Sequence, residues 1–318
     1  MHYTNFKNVM FRVDSSSDIG LGHLMRSLVL ADKFHNSNIC FASQNLKGNA
    51  NYKVTQNSFS LVELKDFSPE ILALHVERLK IDLLVIDSYK IDKDYEQKIR
   101  EKTGVTLMVI DDIYEEHICD MLLNINIYAD AKKYNGLIPT TCRVFCGKNE
   151  QLIRDEFRKT YPIKNRRDKF SIYIAMGGSD AMGLNLPILK ALKKVKNIHI
   201  ELVTTTSNQA LKELQKYVRW HKNITLHVDA SNIAKVLSCV DVAIITPSLS
   251  ASEVSCMRVP FIAIKSASNQ KLMYESLKKQ HIPVLDKFSE KRLHVELLQS
   301  KKKLELYKFR LRKMQYES

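Results

Sequence analysis

Short apolar runs alternate along this chain with longer stretches in which apolar residues recur at helical spacing. The first run, 8–13 (NVMFRV), leads into a polar loop carrying Gly20 and Gly22. After it, Leu24, Leu28 and Ala31 fall on one face of a helix predicted over 24–34. Further strands are predicted at 38–42 (NICFA), 61–64, 82–87 (DLLVID), 105–112 (VTLMVIDD) and 119–126 (CDMLLNIN), with helices over 67–79 and 92–102. Residues 130–168 read as a transition that holds Gly136, Pro139, Pro162 and the basic run 164–167 (KNRR). A second alternation follows, with strands at 170–176 (FSIYIAM), 199–204 (HIELVT), 223–228, 241–245 (DVAII) and 260–264 (PFIAI). Helices are predicted over 184–194, from 231, and after 246–253 (TPSLSASE). Near-continuous apolar strands separated by helices signal parallel sheets, buried on both faces. The expectation is an α/β protein of two strand–helix domains. The first is residues 1–150, the second 151–290, and a basic helix or tail covers 291–318.

Polar residues repeatedly close the strands: Asp87, Ser88 and Tyr89; Asp111 and Asp112; Asn126 and Tyr128. Open α/β sheets bind ligands along that edge. The stretch 12–26 (RVDSSSDIGLGHLMR) is the strongest candidate, because Gly20 and Gly22 bracket Leu21 and His23 stands where the helix begins. A helix start offers unpaired N–H groups to an anion. Its dipole disfavours an imidazolium, so a neutral, base-competent ring is expected at His23.

Composition narrows the rest. With 318 residues, 45% hydrophobic and 26% charged, the chain has the balance of a globular protein. No apolar run reaches the ~18 residues a membrane span needs. The first residues are too polar for a secretory signal, so a cytoplasmic location is expected. Six scattered cysteines (Cys40, Cys119, Cys142, Cys146, Cys239, Cys256) fit reduced thiols and no structural zinc. The net charge of +14 suits an anionic partner. Much of it is local, since the tail from Lys301 carries seven basic and two acidic residues. That tail reads as a solvated helix with Leu304, Tyr307, Leu311 and Met314 on one face, or as a contact to membrane or nucleic acid.

Across both halves the sequence resembles the UDP-2,4-diacetamido-2,4,6-trideoxy-β-L-altropyranose hydrolases of pseudaminic acid biosynthesis. They belong to the GT-B group, two Rossmann-like domains facing each other across a cleft. The stretches that carry the resemblance are FRVDSSSDIGLGH, LLVIDSY, DMLLNINIYA, YNGLIP, CGKNEQLIRDEF, MGGSD, TTSN, ASNIAK, the loop before Glu253, and SNQ, over residues 8–285. The resemblance implies an inverting hydrolysis that releases UDP and the free 2,4-diacetamido sugar, with His23 as general base. Asp14 either orients that imidazole or the water, or caps a turn. Gly177, Gly178 and Asp180 and the helix after them, with Ser248 and Leu249, are candidates for the diphosphate; Gly22 belongs to the catalytic loop. Glu253 is the candidate for the ribose hydroxyls and Ile233 for the border of the uracil pocket. Asn269 and Gln270 suit sugar hydroxyls or acetamido groups. For the sugar on the first domain the candidates are Arg12, Tyr89, Asn126, Tyr128 and Arg154; Arg12 has the alternative of an ion pair with Asp14.

No metal and no cofactor are expected. The partners implied are a UDP-sugar and water, acting on a monomer, without nucleic acid. Two rival readings stay open. One is a GT-B glycosyltransferase that passes the sugar to a separate acceptor. The other is a non-enzymatic protein that binds a UDP-sugar or nucleic acid.

Overall fold

A computed structural model describes residues 6–159 and 169–302. The basic run 164–167 and the tail face formed by Leu304, Tyr307, Leu311 and Met314 lie outside the described residues. The chain divides between Leu152 and Ile153 into two compact units.

The first unit runs β1 (Asn8–Val13), α1 (Gly22–Ala31), β2 (Asn38–Gln44), α2 (Tyr52–Gln56), β3 (Ser60–Leu64), α3 (Pro69–Arg78), β4 (Leu83–Asp87), α4 (Lys93–Thr103), β5 (Thr106–Ile110), β6 (Met121–Asn124) and β7 (Arg143–Cys146). All strands pair in parallel, in the order β3-β2-β1-β4-β5-β6-β7. The order reverses direction between β1 and β4, and the register sets Val13 beside Asp87 at their carboxyl ends. That is the point at which a doubly wound sheet opens a crevice. Helix boundaries follow local chemistry. The Ser68 hydroxyl accepts from Ile71 N–H to start α3, Asp92 accepts from Tyr95 N–H to start α4, and Gly104 ends α4 at φ +62°. Strand β7 falls in the stretch read as a transition: RVFC is short and only half buried, at the sheet edge, so its apolar signal is weak.

The second unit runs α5 (Asp155–Arg158), β8 (Phe170–Ala175), α6 (Asn185–Leu192), β9 (Ile198–Thr204), α7 (Leu211–Arg219), β10 (Ile224–Val228), α8 (Ile233–Leu237), β11 (Val242–Ile245), α9 (Leu249–Cys256), β12 (Phe261–Ile264), α10 (Lys271–Lys279), β13 (Val284–Leu285) and α11 (Glu290–Lys302). Its parallel sheet has the order β10-β9-β8-β11-β12-β13, with the switch between β8 and β11. Ile172, Ile174, Ile200, Leu202, Ile244 and Ile262 build its core. Among the described residues, no helix is long and apolar enough to cross a membrane.

Candidate active site

Between β1 and α1 the chain makes a compact turn. The Ser16 hydroxyl accepts from Asp18 N–H (3.2 Å) and Ile19 N–H (2.9 Å), and Gly20 N–H donates to the Ser16 carbonyl (2.9 Å). Gly20 closes the turn at φ +81°, where a side chain would be strained. Helix α1 then begins with Gly22. His23, Arg26 and Ser27 are three and four residues apart, so they share one helical face. All three meet the carboxylate of Asp87 at the end of β4.

His23 Nδ1 lies 2.6 Å from Asp87 Oδ1. Arg26 donates from Nε to Asp87 Oδ2 (2.8 Å) and from Nη2 to Oδ1 (2.5 Å), and the Ser27 hydroxyl donates to Oδ2 (3.1 Å). Burial alone would raise the Asp87 carboxyl, but Arg26 and His23 outweigh it and hold Asp87 well below the usual carboxylate range. Nδ1 also lies 3.0 Å from Arg26 Nη2, but the ionised Asp87 oxygen is the shorter contact and places the proton on Nδ1. The neutral ring therefore keeps its free lone pair on Nε2. Arg26 Nη1 reaches onward to Asp112 Oδ2 (2.6 Å), whose Oδ1 accepts from the Tyr89 hydroxyl (2.7 Å). The Tyr128 hydroxyl donates to the Asp112 carbonyl (3.0 Å). The Tyr89 ring stands edge-on to the imidazole, with centroids 4.5 Å apart.

The structure thus brings His23, Gly22, Tyr89 and Tyr128 together with Asp87 and Asp112, which the sequence marked only as strand-end carboxylates, and adds Arg26 and Ser27, to which it gave no role. Asp14 does not hold the imidazole. Both its oxygens take the Arg12 guanidinium (2.8 Å each), and Oδ1 also accepts from Gln44 N–H at 2.8 Å. Arg12 is a correction too. It is 0% exposed, pinned by Asp14 and lying 5.4 Å over the Phe67 ring, so it is the structural ion pair and not a sugar contact. Asn126 N–H and Nδ2 both donate to Asn124 Oδ1, at 3.1 and 3.2 Å. Asp111 turns inward to Tyr134, Ile113 and Tyr114.

In the second unit, Gly177 turns at φ +83° after β8. The Gly178 carbonyl is fixed by the Thr204 and Thr205 hydroxyls (3.0 and 2.9 Å) and by Thr205 N–H (3.1 Å). Asp180 accepts from Leu184 N–H (2.8 Å) and Asn185 N–H (2.9 Å). Its carboxylate therefore takes up N–H groups at the start of α6 that were expected to face a diphosphate. At α9 the arrangement differs: Ser248 is the N-cap and makes no side-chain cap bond, its hydroxyl instead lying 2.9 Å from that of Thr246. Gln270 Oε1 accepts from Ser266 N–H (2.8 Å), which shapes the loop carrying the exposed Asn269.

Glu253 is buried in α9 rather than exposed. Arg154, grouped above with the first domain's sugar residues, lies in the second unit and donates from Nε to Glu253 (3.0 Å), while Nη1 meets Glu156 (2.7 Å). Burial raises the Glu253 carboxyl despite Arg154. Glu156 in turn accepts from Ala234 N–H (3.3 Å) beside the buried Ile233.

No protein-family model matches the chain. Among solved structures, MurG of Acinetobacter baumannii superposes with a TM-score of 0.64 at 14% identity, covering 97% of this chain and 94% of that one. Anabaena HepE in complex with UDP and glucose gives 0.66 at 10% identity, over 96% and 93%. These likenesses establish the GT-B fold. The spore coat polysaccharide biosynthesis protein SpsG of Bacillus subtilis is 20% identical over 81% of this chain and 77% of its own length. The UDP-2,4-diacetamido-2,4,6-trideoxy-β-L-altropyranose hydrolase of Campylobacter jejuni is 40% identical over 262 residues, 82% of this chain and 93% of that protein. At that identity and coverage, the chain belongs to the family of UDP-2,4-diacetamido-2,4,6-trideoxy-β-L-altropyranose hydrolases.

Proposed function

We propose that this enzyme hydrolyses UDP-2,4-diacetamido-2,4,6-trideoxy-β-L-altrose to UDP and the free sugar, with inversion, as a step in pseudaminic acid biosynthesis. One observation carries the mechanism: His23 Nδ1 is held on Asp87 at 2.6 Å, which leaves Nε2 as the proton acceptor. His23 Nε2 takes a proton from water as the water oxygen bonds to the anomeric carbon. The bond from that carbon to the phosphate oxygen breaks, and its electron pair leaves with UDP. Asp87 stabilises the imidazolium as it forms. Such proton transfer is worth roughly 10²–10⁴-fold in rate.

The leaving diphosphate accumulates charge, and backbone amides of Gly177, Gly178 and Leu249 at the start of α9 are the groups suited to meet it. Ser248 completes that turn. Glu253 is assigned to the ribose hydroxyls, Ile233 to the uracil border, and Tyr89, Asn126 and Asn269 to the sugar. Asparagine offers a donor and an acceptor, as an acetamido group requires. The base therefore belongs to the first unit and UDP recognition to the second.

The test is UDP release from this UDP-sugar with no acceptor present. Release of UDP and free sugar, abolished to within ~10²–10⁴-fold of wild type by His23→Asn, supports the reading. UDP binding without release would favour a transferase that awaits an acceptor. A His23→Asn enzyme of wild-type rate would remove His23 as the base.

A further inference from the structure

We infer that Arg26 is a positioning residue whose single guanidinium sets both the imidazole of His23 and the hydroxyl of Tyr89. The inference rests on the proposed role of His23. Its basis is a division of the guanidinium's contacts: Nε and Nη2 donate to Asp87, Nη2 also lies 3.0 Å from His23 Nδ1, and Nη1 donates to Asp112. Asp87 is the acceptor for His23 Nδ1, and Asp112 Oδ1 is the acceptor for the Tyr89 hydroxyl. Asp87 takes Arg26 on both oxygens, sharing Oδ1 with His23 and Oδ2 with Ser27, whereas Asp112 takes Arg26 on Oδ2 and Tyr89 on Oδ1.

The side chains of Arg26, Asp87 and Asp112 are 8%, 1% and 14% exposed, so water contributes little to holding them. A buried carboxylate such as Asp87 needs a cation beside it. Arg26 supplies it, and Asp87 and Asp112 together hold the guanidinium in its charged form although burial opposes this. The planar fork matters as well as the charge. It fixes two acceptors in one plane at set angles, whereas an ammonium is a point charge on a flexible stem. Tyr89 is 39% exposed, so its ring borders solvent while its hydroxyl is held from behind. Through Asp87 the guanidinium governs the proton acceptor, which acts in the chemical step. Through Asp112 it governs Tyr89, a candidate for contact with the sugar.

The two arms separate kinetically. Arg26→Lys keeps the charge and loses the fork, so kcat is expected to fall about 10²-fold, within the range of a lost general base. In ¹⁵N-histidine NMR, with His23 assigned through His23→Asn, the wild-type ring should show a protonated Nδ1 and a bare Nε2. Arg26→Lys should show a mixture of tautomers. Asp112→Asn retains an acceptor for Tyr89 but turns an amide donor towards Arg26. It is expected to raise KM about 10-fold with a smaller change in kcat, and to be non-additive with Tyr89→Phe. Thermal melts by circular dichroism confirm that each variant is folded. Wild-type kcat together with a wild-type tautomer in Arg26→Lys overturns the inference. If Arg26→Lys does not fold, additive KM effects of Asp112→Asn and Tyr89→Phe overturn it. A fully active His23→Asn enzyme would defeat the base reading instead, and the tautomer measurement would still decide the tie through Arg26.

Discussion

A buried histidine makes the stability of the first unit depend on pH. His117 Nδ1 lies 2.8 Å from Glu96 Oε1, and Glu96 Oε2 accepts from Ile118 N–H at 2.7 Å. His117 Nε2 is 3.8 Å from Asp111 Oδ1, a charge contact too long for a hydrogen bond. Asp111 also accepts from the Tyr134 hydroxyl at 2.6 Å. Burial by itself would lower the imidazolium, but Asp111 and Glu96 raise it from 6.5 to about 9. A raised histidine stabilises the fold through its charged form. The contribution is fully present below about pH 6.5 and is lost as pH rises through about 9. At about 1.4 kcal/mol for each pH unit this amounts to roughly 3 kcal/mol, an upper figure given the long Asp111 contact. His117→Gln keeps a donor for Glu96 without the charge. Amide hydrogen exchange in mild urea, corrected for intrinsic rates, would follow peptides from β5 and β6, with β8 and β11 as the control in the other unit. Wild type should exceed His117→Gln in β5 and β6 by ~2–3 kcal/mol near pH 6, and the gap should close by about pH 10. A gap that stays constant across this range would refute the reasoning.

Further predictions concern the same unit. Asp14→Asn leaves the buried Arg12 without its anion and should cost ~3–5 kcal/mol in denaturant unfolding, while kcat per folded molecule stays near wild type; a selective loss of kcat would return Asp14 to the chemistry. Gly48 has φ +70°, and a Cβ there would meet Ser17 Oγ at 2.1 Å and Ser17 N at 3.2 Å. Gly48→Ala should therefore displace the turn ahead of His23, costing ~1 kcal/mol or more in chemical melts together with turnover. The Cys119 and Cys142 thiols, in the segments leading into β6 and β7, are 3.6 Å apart. Diamide should take two electrons and two protons from this pair, and mass spectrometry after alkylation should find these two protected first.

The alternation that specifies two parallel sheets was legible because DLLVID, VTLMVIDD, DVAII and PFIAI are apolar on both faces, as central strands must be. Helix α7 went unpredicted although LKELQKYVR sets Leu211, Leu214, Tyr217 and Val218 on one face; only Leu214 is fully buried and charges fill the rest. The site was half legible for a related reason. His23 was found through the glycines beside it, which are local. Asp14, nine residues upstream on the same loop, was one candidate for its partner, whereas Asp87, the residue that meets it, is 64 residues away. Arg12 and Asp14, two residues apart, project to the same side and satisfy each other. Only the register, which sets Val13 against Asp87, carries the latter to the helix face of His23, Arg26 and Ser27. The sequence does hold a signal for this. An apolar strand that ends in a carboxylate must find that carboxylate a cation or several donors if it is buried. The H-x-x-R-S spacing on α1 is the arrangement that provides them. The same reasoning pairs Arg154 with Glu253 across 99 residues, where a buried helical carboxylate demanded a guanidinium. In both units, the polar residues that the hydrophobic pattern cannot account for are the ones that build the candidate sites.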